Sequence, residues 1–275
     1  MSLMEVKDLT MRFGGITAVD RLSFNVEKNS ITALIGPNGA GKTSTFNCLT
    51  GFYKAGSGSI MYNGESLMGL QPYQITYKKI IRTFQNVRLF KNMTVLENVM
   101  SGAHSVSKQF ILGALLRHKW QREEERQILE SSEHCLDFIG ILDMKDRVAK
   151  NLSIGDQRRT EWARALAAQP NLLLLDEPAA GLNREEKDDL VRLIRRFRDE
   201  LGITVLLIEH DMDIVMEVSE KVVVINFGTK IAEGTPSEVQ TNPLVIDAYL
   251  GTDEEDKDDE DSSSAGDSSP IGDGA

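Results

Sequence analysis

The chain has 275 residues, 41% of them hydrophobic, which is enough apolar material for a full core and excludes a largely disordered protein. Its apolar runs are far shorter than the roughly 20 residues that a membrane-spanning helix needs. The N-terminal residues carry no secretory signal, so we expect a cytosolic protein. The net charge of −11 is concentrated in residues 251–275, which hold ten acids and one lysine and leave only −2 for residues 1–250.

Residues 251–275 cannot bury enough apolar surface to offset their ordering entropy, so we expect a disordered acidic tail. The tail either has no mechanistic role or acts as an interaction or solubilising segment. The cysteines Cys48 and Cys135 have no CxxC or His-rich context, which argues against a disulfide or zinc framework.

The first predicted elements are strands arranged around a glycine-rich turn and one helix. Strand patterns occur in Met4–Met11, Leu22–Val26, Ile31–Ile35 and Ser59–Tyr62. The segment Lys42–Leu49 contains no helix breaker and predicts a helix, and Asn63-Gly64 predicts a tight turn.

Helical periodicity replaces the strand pattern from about residue 94 to residue 166, which predicts a helical insertion. Beyond it, Leu172–Leu175 and Ile203–Ile208 are uninterrupted apolar runs, typical of buried parallel strands. The helix between them begins with Asn183 as N-cap and Glu186 as its capping-box partner. Its predicted apolar face consists of Leu190, Val191, Ile194, Phe197 and Leu201. This order predicts an α/β nucleotide-binding core interrupted by a helical lobe.

A phosphate-binding loop follows the strand Ile31–Ile35. Its residues are Gly36, Pro37, Asn38, Gly39, Ala40, Gly41, Lys42 and Thr43, which match G-x-x-x-x-G-K-[ST], with Ser44 next in the helix. The glycines let backbone N–H groups surround phosphate oxygens at a helix start, where the helix dipole favours negative charge. We expect Lys42 to reach the β- and γ-phosphates of ATP and the Thr43 hydroxyl to ligate Mg²⁺.

Two adjacent carboxylates, Asp176 and Glu177, follow the apolar strand Leu172–Leu175. Parallel strands present their chemistry at their carboxyl ends. We expect Asp176 to hold Mg²⁺, usually through water, and Glu177 to orient or deprotonate the water that attacks the γ-phosphate. An exposed acidic turn has the same local pattern, and the phosphate loop favours the catalytic interpretation.

Five further segments resemble those of the ABC transporter ATPases, and the resemblance covers the chain to about residue 250. They are Phe13 before Gly14-Gly15, Gln85 in Thr83–Asn86, the signature-like Leu152–Arg159, Ala180–Asn183 and His210. The resemblance implies an α/β P-loop NTPase with a RecA-like core and a mixed sheet. It also implies an N-terminal antiparallel β subdomain and a helical subdomain at about 94–166, within an ATPase domain of residues 1–250.

The resemblance gives three residues outside the phosphate loop a role at the nucleotide. Phe13 stacks on adenine, and Gln85 touches Mg²⁺ and water and couples to a membrane subunit. His210, at the carboxyl end of a strand, stabilises the surroundings of the γ-phosphate during hydrolysis.

The signature-like segment is implied to bind the ATP of a second subunit, in trans, through Ser153, Gly155 and Asp156. The chain departs from the family pattern here, because Ile154 and Asp156 replace Gly and Gln. It departs again at Asn183, where Asp is commoner.

Within the family, the chain is similar to LivG-type subunits of branched-chain amino acid importers. The similar stretches are Arg82–Phe90, Gly155–Arg159, Pro178–Asn183, Ile208–Met212 and Ala248–Gly251. The similarity implies the cofactors ATP and Mg²⁺, a second ABC ATPase subunit that is identical or related, and two transmembrane permease subunits. It also implies an indirect link to a solute-binding protein and a place at the cytoplasmic face of the cell membrane. The substrate class rests on this similarity alone.

Other functions fit parts of the pattern. A soluble ABC-type ATPase of translation or DNA repair usually has two cassettes or long coiled-coil insertions, whereas this chain has one phosphate loop and no basic patch for nucleic acid. A non-hydrolysing regulatory subunit conflicts with the presence of Lys42, Glu177 and His210. A P-loop kinase leaves His210 and the signature-like segment without a role. An ABC ATPase for another substrate stays open.

Overall fold

The computed structural model describes residues 2–104 and 119–250, without the side chains of residues 119–122 and 124. The acidic tail at residues 251–275 lies outside the described residues. The disorder of the tail and the domain boundary at residue 250 therefore stay predictions. Within the described ranges, none of the helices combines the length and the apolar character that a bilayer crossing requires.

The described residues form two sheets and a set of helices. The strands are β1 (Ser2–Phe13), β2 (Ile16–Glu27), β3 (Ile31–Ile35), β4 (Ser57–Tyr62), β5 (Glu65–Ser66), β6 (Ile80–Arg82), β7 (Leu172–Asp176), β8 (Thr204–Ile208), β9 (Lys221–Asn226) and β10 (Thr229–Gly234). The helices are α1 (Lys42–Leu49), α2 (Pro72–Tyr77), α3 (Val95–His104), α4 (Lys119–Ile139), α5 (Ile154–Ala167), α6 (Arg184–Asp199), α7 (Met212–Val218) and α8 (Pro236–Gln240), and residues 243–250 are also helical.

The N-terminal sheet is antiparallel, with strand order β2-β1-β4-β5. β1 and β2 are 12 residues each, and buried positions alternate with more exposed ones over residues 22–27 of β2, as expected of a strand with one face on the core. Both strands extend beyond the predicted segments Met4–Met11 and Leu22–Val26, because the turn between Phe13 and Ile16 lets them pair up to their ends.

The second sheet has the order β10-β9-β3-β8-β7-β6. Strands β9 to β6 are parallel, and β10 pairs with β9 in the antiparallel sense, so the predicted mixed sheet is confirmed. All residues of β3, β7 and β8 are buried, since helices or the N-terminal sheet cover both faces. The α/β P-loop fold class is therefore confirmed.

Helices α3, α4 and α5 pack together in the region predicted to be a helical insertion. Their apolar side chains share one core cluster with β7 and α6, including Val99, Leu136 and Ala163. This packing joins the helical region directly to the parallel sheet.

The capping box predicted for α6 is present. The side chain of Asn183 accepts a hydrogen bond from the Glu186 N–H at 3.0 Å, and Glu186 accepts one from the Asn183 N–H at 2.9 Å. Leu190, Val191, Ile194 and Phe197 are buried as predicted. The placement of Leu201 on the same apolar face is wrong: α6 ends at Asp199, and Leu201 is 45% exposed.

Candidate functional site

The functional residues meet at the carboxyl ends of three adjacent parallel strands. Gly36 follows β3, Glu177 follows β7, and His210 stands two residues after β8. Because β8 lies between β3 and β7, the three chain segments leave the sheet side by side. Ligands of open α/β sheets bind outside this edge.

The phosphate loop, residues Gly36–Ser44, is held by close backbone approaches. Gly36 and Gly41 have φ angles of +155° and +100°, which side-chain-bearing residues rarely adopt. A Cβ atom at Gly36 would overlap the carbonyl oxygen of Ile225, and one at Gly41 would overlap that of Ala18. Asn38 and Gly39 are nevertheless exposed at the tip of the loop.

Lys42 begins α1 and turns its side chain back over the phosphate loop. Its Nζ atom donates hydrogen bonds to the carbonyl oxygens of Gly36 at 2.6 Å and Pro37 at 2.9 Å. Burial lowers the pKa of the Lys42 ammonium, and the carboxylates of Glu177 and Asp176 act in the opposite direction. The cation therefore lies within electrostatic reach of both predicted acids, while the neighbouring Thr43 is exposed.

Glu177 connects three of the predicted site segments. Its Oε2 atom accepts a hydrogen bond from Gln85 Nε2 at 2.6 Å and lies 3.9 Å from His210 Nδ1. Its backbone N–H donates to the Ile208 carbonyl at 2.9 Å, and its φ angle is +48°. A non-glycine residue in this left-handed region costs on the order of 1–2 kcal/mol. The strained turn aims the carboxylate at Gln85 and His210.

Asp176 forms a buried ion pair. Its Oδ2 atom lies 2.6 Å from NH2 of Arg82, and the two side chains are 7% and 6% exposed, respectively. Sequence reasoning did not predict this partner, because Arg82 and Asp176 are 94 positions apart in the chain.

Several candidate site residues carry oxygen atoms of the kind that Mg²⁺ prefers. The described part of the chain has no group of three or more His, Cys, Asp or Glu side chains that could hold a metal ion alone. Mg²⁺ is usually bound by one or two carboxylates together with substrate phosphates. Thr43, Asp176 and Gln85 supply such oxygen atoms beside the phosphate loop, so these residues fit a magnesium ion that is shared with a nucleotide.

The signature tip, residues Ser153–Asp156, is at the start of α5. Ser153 is the N-cap: its Oγ atom accepts from the Asp156 N–H at 3.1 Å and donates to Asp156 Oδ2 at 2.8 Å. Ser153 is exposed, and Ile154 is 68% exposed. Among the described residues, no hydrogen bond or ion pair joins the signature tip to the phosphate loop of the same chain.

Phe13, the candidate adenine-stacking residue, ends β1 and is 42% exposed. Its ring contacts Tyr53 edge to face, with 5.1 Å between the ring centres. The exposed face leaves room for a planar ligand.

Arg158 is a site residue that sequence reasoning missed. It is 5% exposed, and its guanidinium donates to the carbonyl oxygens of Gln85 at 3.0 Å, Ala180 at 3.1 Å and Glu177 at 3.4 Å. Burial lowers the pKa of Arg158. One buried cation on α5 therefore holds the backbone at Glu177, at Ala180 and at Gln85.

Glu209 is a second missed residue, fully buried directly before His210. Its Oε1 atom accepts from the Ala179 N–H at 2.8 Å, and its Oε2 atom accepts from the His210 N–H at 3.1 Å. Burial raises the pKa of the Glu209 carboxyl, and these backbone N–H groups oppose that shift. The only sequence signal was its position at the end of a buried strand.

Two family models match parts of the chain. Residues 19–180 match the family model described as ABC transporter, and residues 229–255 match the model described as branched-chain amino acid ATP-binding cassette transporter.

Two curated relatives are similar along almost their whole length. The chain is 48% identical to the high-affinity branched-chain amino acid transport ATP-binding protein BraF of Pseudomonas aeruginosa, over 90% of this chain and 98% of the relative. It is 47% identical to the corresponding protein LivG of Escherichia coli, again over 90% of this chain and 98% of the relative. A solved ATP-binding cassette of an ABC transporter in its ADP conformation aligns with a TM-score of 0.80 and 32% identity, covering 91% of this chain and 99% of that structure. The chain therefore belongs to the ABC transporter family, as an ATP-binding cassette.

Proposed function

We propose that this chain binds and hydrolyses ATP to power an importer of branched-chain amino acids. The substrate class is supported by the relatives, which are named as branched-chain amino acid transport ATP-binding proteins. The ATPase activity is supported chiefly by one observation: Glu177, Gln85 and His210 converge where Lys42 lies within electrostatic reach.

The phosphate loop holds the triphosphate through its backbone N–H groups. Lys42 exchanges the carbonyl oxygens of Gly36 and Pro37 for β- and γ-phosphate oxygens. Phe13 packs its exposed face on adenine.

Thr43, Asp176 and Gln85 would hold a magnesium ion, which would supply positive charge against that of the phosphate groups. Glu177 orients the attacking water and accepts its proton, while Gln85 keeps the Glu177 carboxylate in place. His210 stabilises the region of the γ-phosphate.

Two such chains, or this chain and a related one, close head to tail around two ATP molecules. Ser153, Gly155 and Asp156 of one chain then cover the phosphate loop of the other. The exposure of the signature tip supports this arrangement, because an N-cap hydroxyl and a helix start are suited to an anion.

The closure of the two ATPase chains moves two transmembrane permease subunits at the cytoplasmic face of the membrane. A solute-binding protein delivers the amino acid to these permease subunits. A groove of about 360 Å³ supports this contact, since its lining includes Phe84 beside Gln85 together with Phe52, Ile75 and Arg164. Nucleic acid is not an expected partner, because residues 1–250 have a net charge of −2.

The Glu177→Gln variant tests the hydrolytic role. Loss of the base should lower ATP turnover about 10²–10⁴-fold, while the Kd for Mg-ATP changes little. The exposed Glu185→Gln is the matched control and should keep the wild-type turnover. Unchanged turnover in Glu177→Gln would remove this residue from the role of base.

The substrate class is tested by transport. The chain is co-purified with its membrane subunits, reconstituted in vesicles and assayed for uptake of leucine, isoleucine and valine. ATP-dependent uptake is the expected result. ATP turnover without uptake of any of the three would indicate another substrate.

A further inference from the structure

Arg82 ends β6, next to the strand that carries Asp176, and its guanidinium is held from several sides. NH2 contacts Asp176 Oδ2 at 2.6 Å, and NH1 donates to Asn47 Oδ1 at 2.7 Å and Thr50 Oγ1 at 3.3 Å. Its central carbon also lies 5.2 Å from the centre of the Phe84 ring. A planar donor group with this many partners has one orientation.

The carboxylate on the other side of this pair has little freedom. Asp176 is buried, with 5% of the whole residue exposed, and a buried charge without a partner is strongly unfavourable. The ion pair uses Oδ2, so Oδ1 is not engaged by Arg82. Arg82 therefore fixes the position of the Asp176 carboxylate through Oδ2, while Oδ1 is outside the ion pair.

We propose that Arg82 is a positioning residue for the metal site: it holds Asp176 in the orientation that receives the magnesium ion of Mg-ATP. The proposal rests on the metal role given to Asp176 under the proposed function. Residues that orient the groups around a metal commonly contribute 10–100-fold to metal affinity, roughly.

The test compares nucleotide affinity with and without metal. The Kd for ATP of the full chain is measured by calorimetry in excess EDTA and in excess Mg²⁺, and the ratio of the two values gives the tightening by Mg²⁺. In Arg82→Met this ratio should fall about tenfold, with the Kd in EDTA nearly unchanged. Arg82→Lys keeps the positive charge but loses the planar guanidinium with its several N–H donors. Its ratio should lie between those of the wild type and Arg82→Met.

Arg88→Met is the matched control. The Arg88 guanidinium lies 4.7 Å from the centre of the same Phe84 ring. This variant therefore removes an arginine from that ring and keeps the ion pair between Arg82 and Asp176. Its ratio should equal that of the wild type. Circular dichroism checks the folding of each variant, and Arg82→Lys alone decides the question if Arg82→Met does not fold.

Two results would overturn the inference in different ways. A wild-type ratio in folded Arg82→Met and Arg82→Lys would reject the positioning role and leave the proposed function intact. A wild-type chain that binds ATP equally well with and without Mg²⁺ would reject the metal role of Asp176 itself.

Discussion

The phosphate loop and the signature tip serve the same proposed ATP site, but they are built in opposite ways. The loop follows a fully buried strand, and the chain at Ala18 and Ile225 approaches its glycines closely. The signature tip is exposed and is held by its own cap between Ser153 and Asp156. Substitutions in the loop should therefore change the fold and the chemistry together, whereas substitutions in the tip should change mainly the contact with a second chain.

The largest expected difference in stability is between alanine at Gly36 and alanine at Gly155. At Gly36 the new methyl group meets the Ile225 backbone at a φ of +155°, and we expect a loss of about 3 kcal/mol. At Gly155 it meets the Glu186 carboxylate at 2.5 Å, a side-chain group that can move by loosening its capping box with Asn183, so we expect about 1 kcal/mol. Denaturant unfolding measures both, and equal losses would contradict the contrast.

The next largest effect distinguishes two neighbouring arginines of α5. Arg158→Met leaves three carbonyl oxygens without their charged donor, which should cost about 2 kcal/mol, and it should lower kcat more than it changes the KM for ATP. Arg159 pairs with Asp189 at a partly exposed site, so Arg159→Met should cost about 0.5 kcal/mol. Unfolding and steady-state kinetics measure both. A wild-type kcat in Arg158→Met would reject its positioning role.

The smallest change in stability is expected from the cap of the signature tip. Ser153→Ala removes the N-cap hydroxyl of α5 and should cost about 1 kcal/mol, the same as Thr235→Ala, which removes the N-cap of α8. Only Ser153→Ala should lower ATP turnover, by about tenfold or more, because it also removes the proposed donor to the nucleotide of a second chain. Equal turnover in the two variants would indicate that the tip does not contact ATP.

Local patterns predicted many of the elements and the candidate site residues, but not the strands β6, β9 and β10. Gly36–Ser44 has one strand before it and one helix after it, as the motif requires. The capping box at Asn183 depends on residues three apart, so the sequence alone could indicate it. The roles of these residues stay predictions until they are measured.

Contacts of charged side chains with residues far away in the sequence could not be predicted in the same way. Arg158 donates to the carbonyl of Gln85, 73 positions away, and a single sequence does not reveal such a pairing. Arg158 and Arg159 are adjacent residues of the same type, yet only Arg158 is buried. Tertiary packing decides which of these two arginines holds the backbone of the candidate site.

The most direct test is equilibrium binding of Mg-ATP to the purified chain, with Lys42→Ala as the comparison. Saturable binding by the wild type, weakened at least about tenfold in Lys42→Ala, is expected because a charge-assisted contact to phosphate is lost. Absence of binding by the wild type, or equal affinity in the two proteins, would contradict the assignment of the loop as the phosphate site.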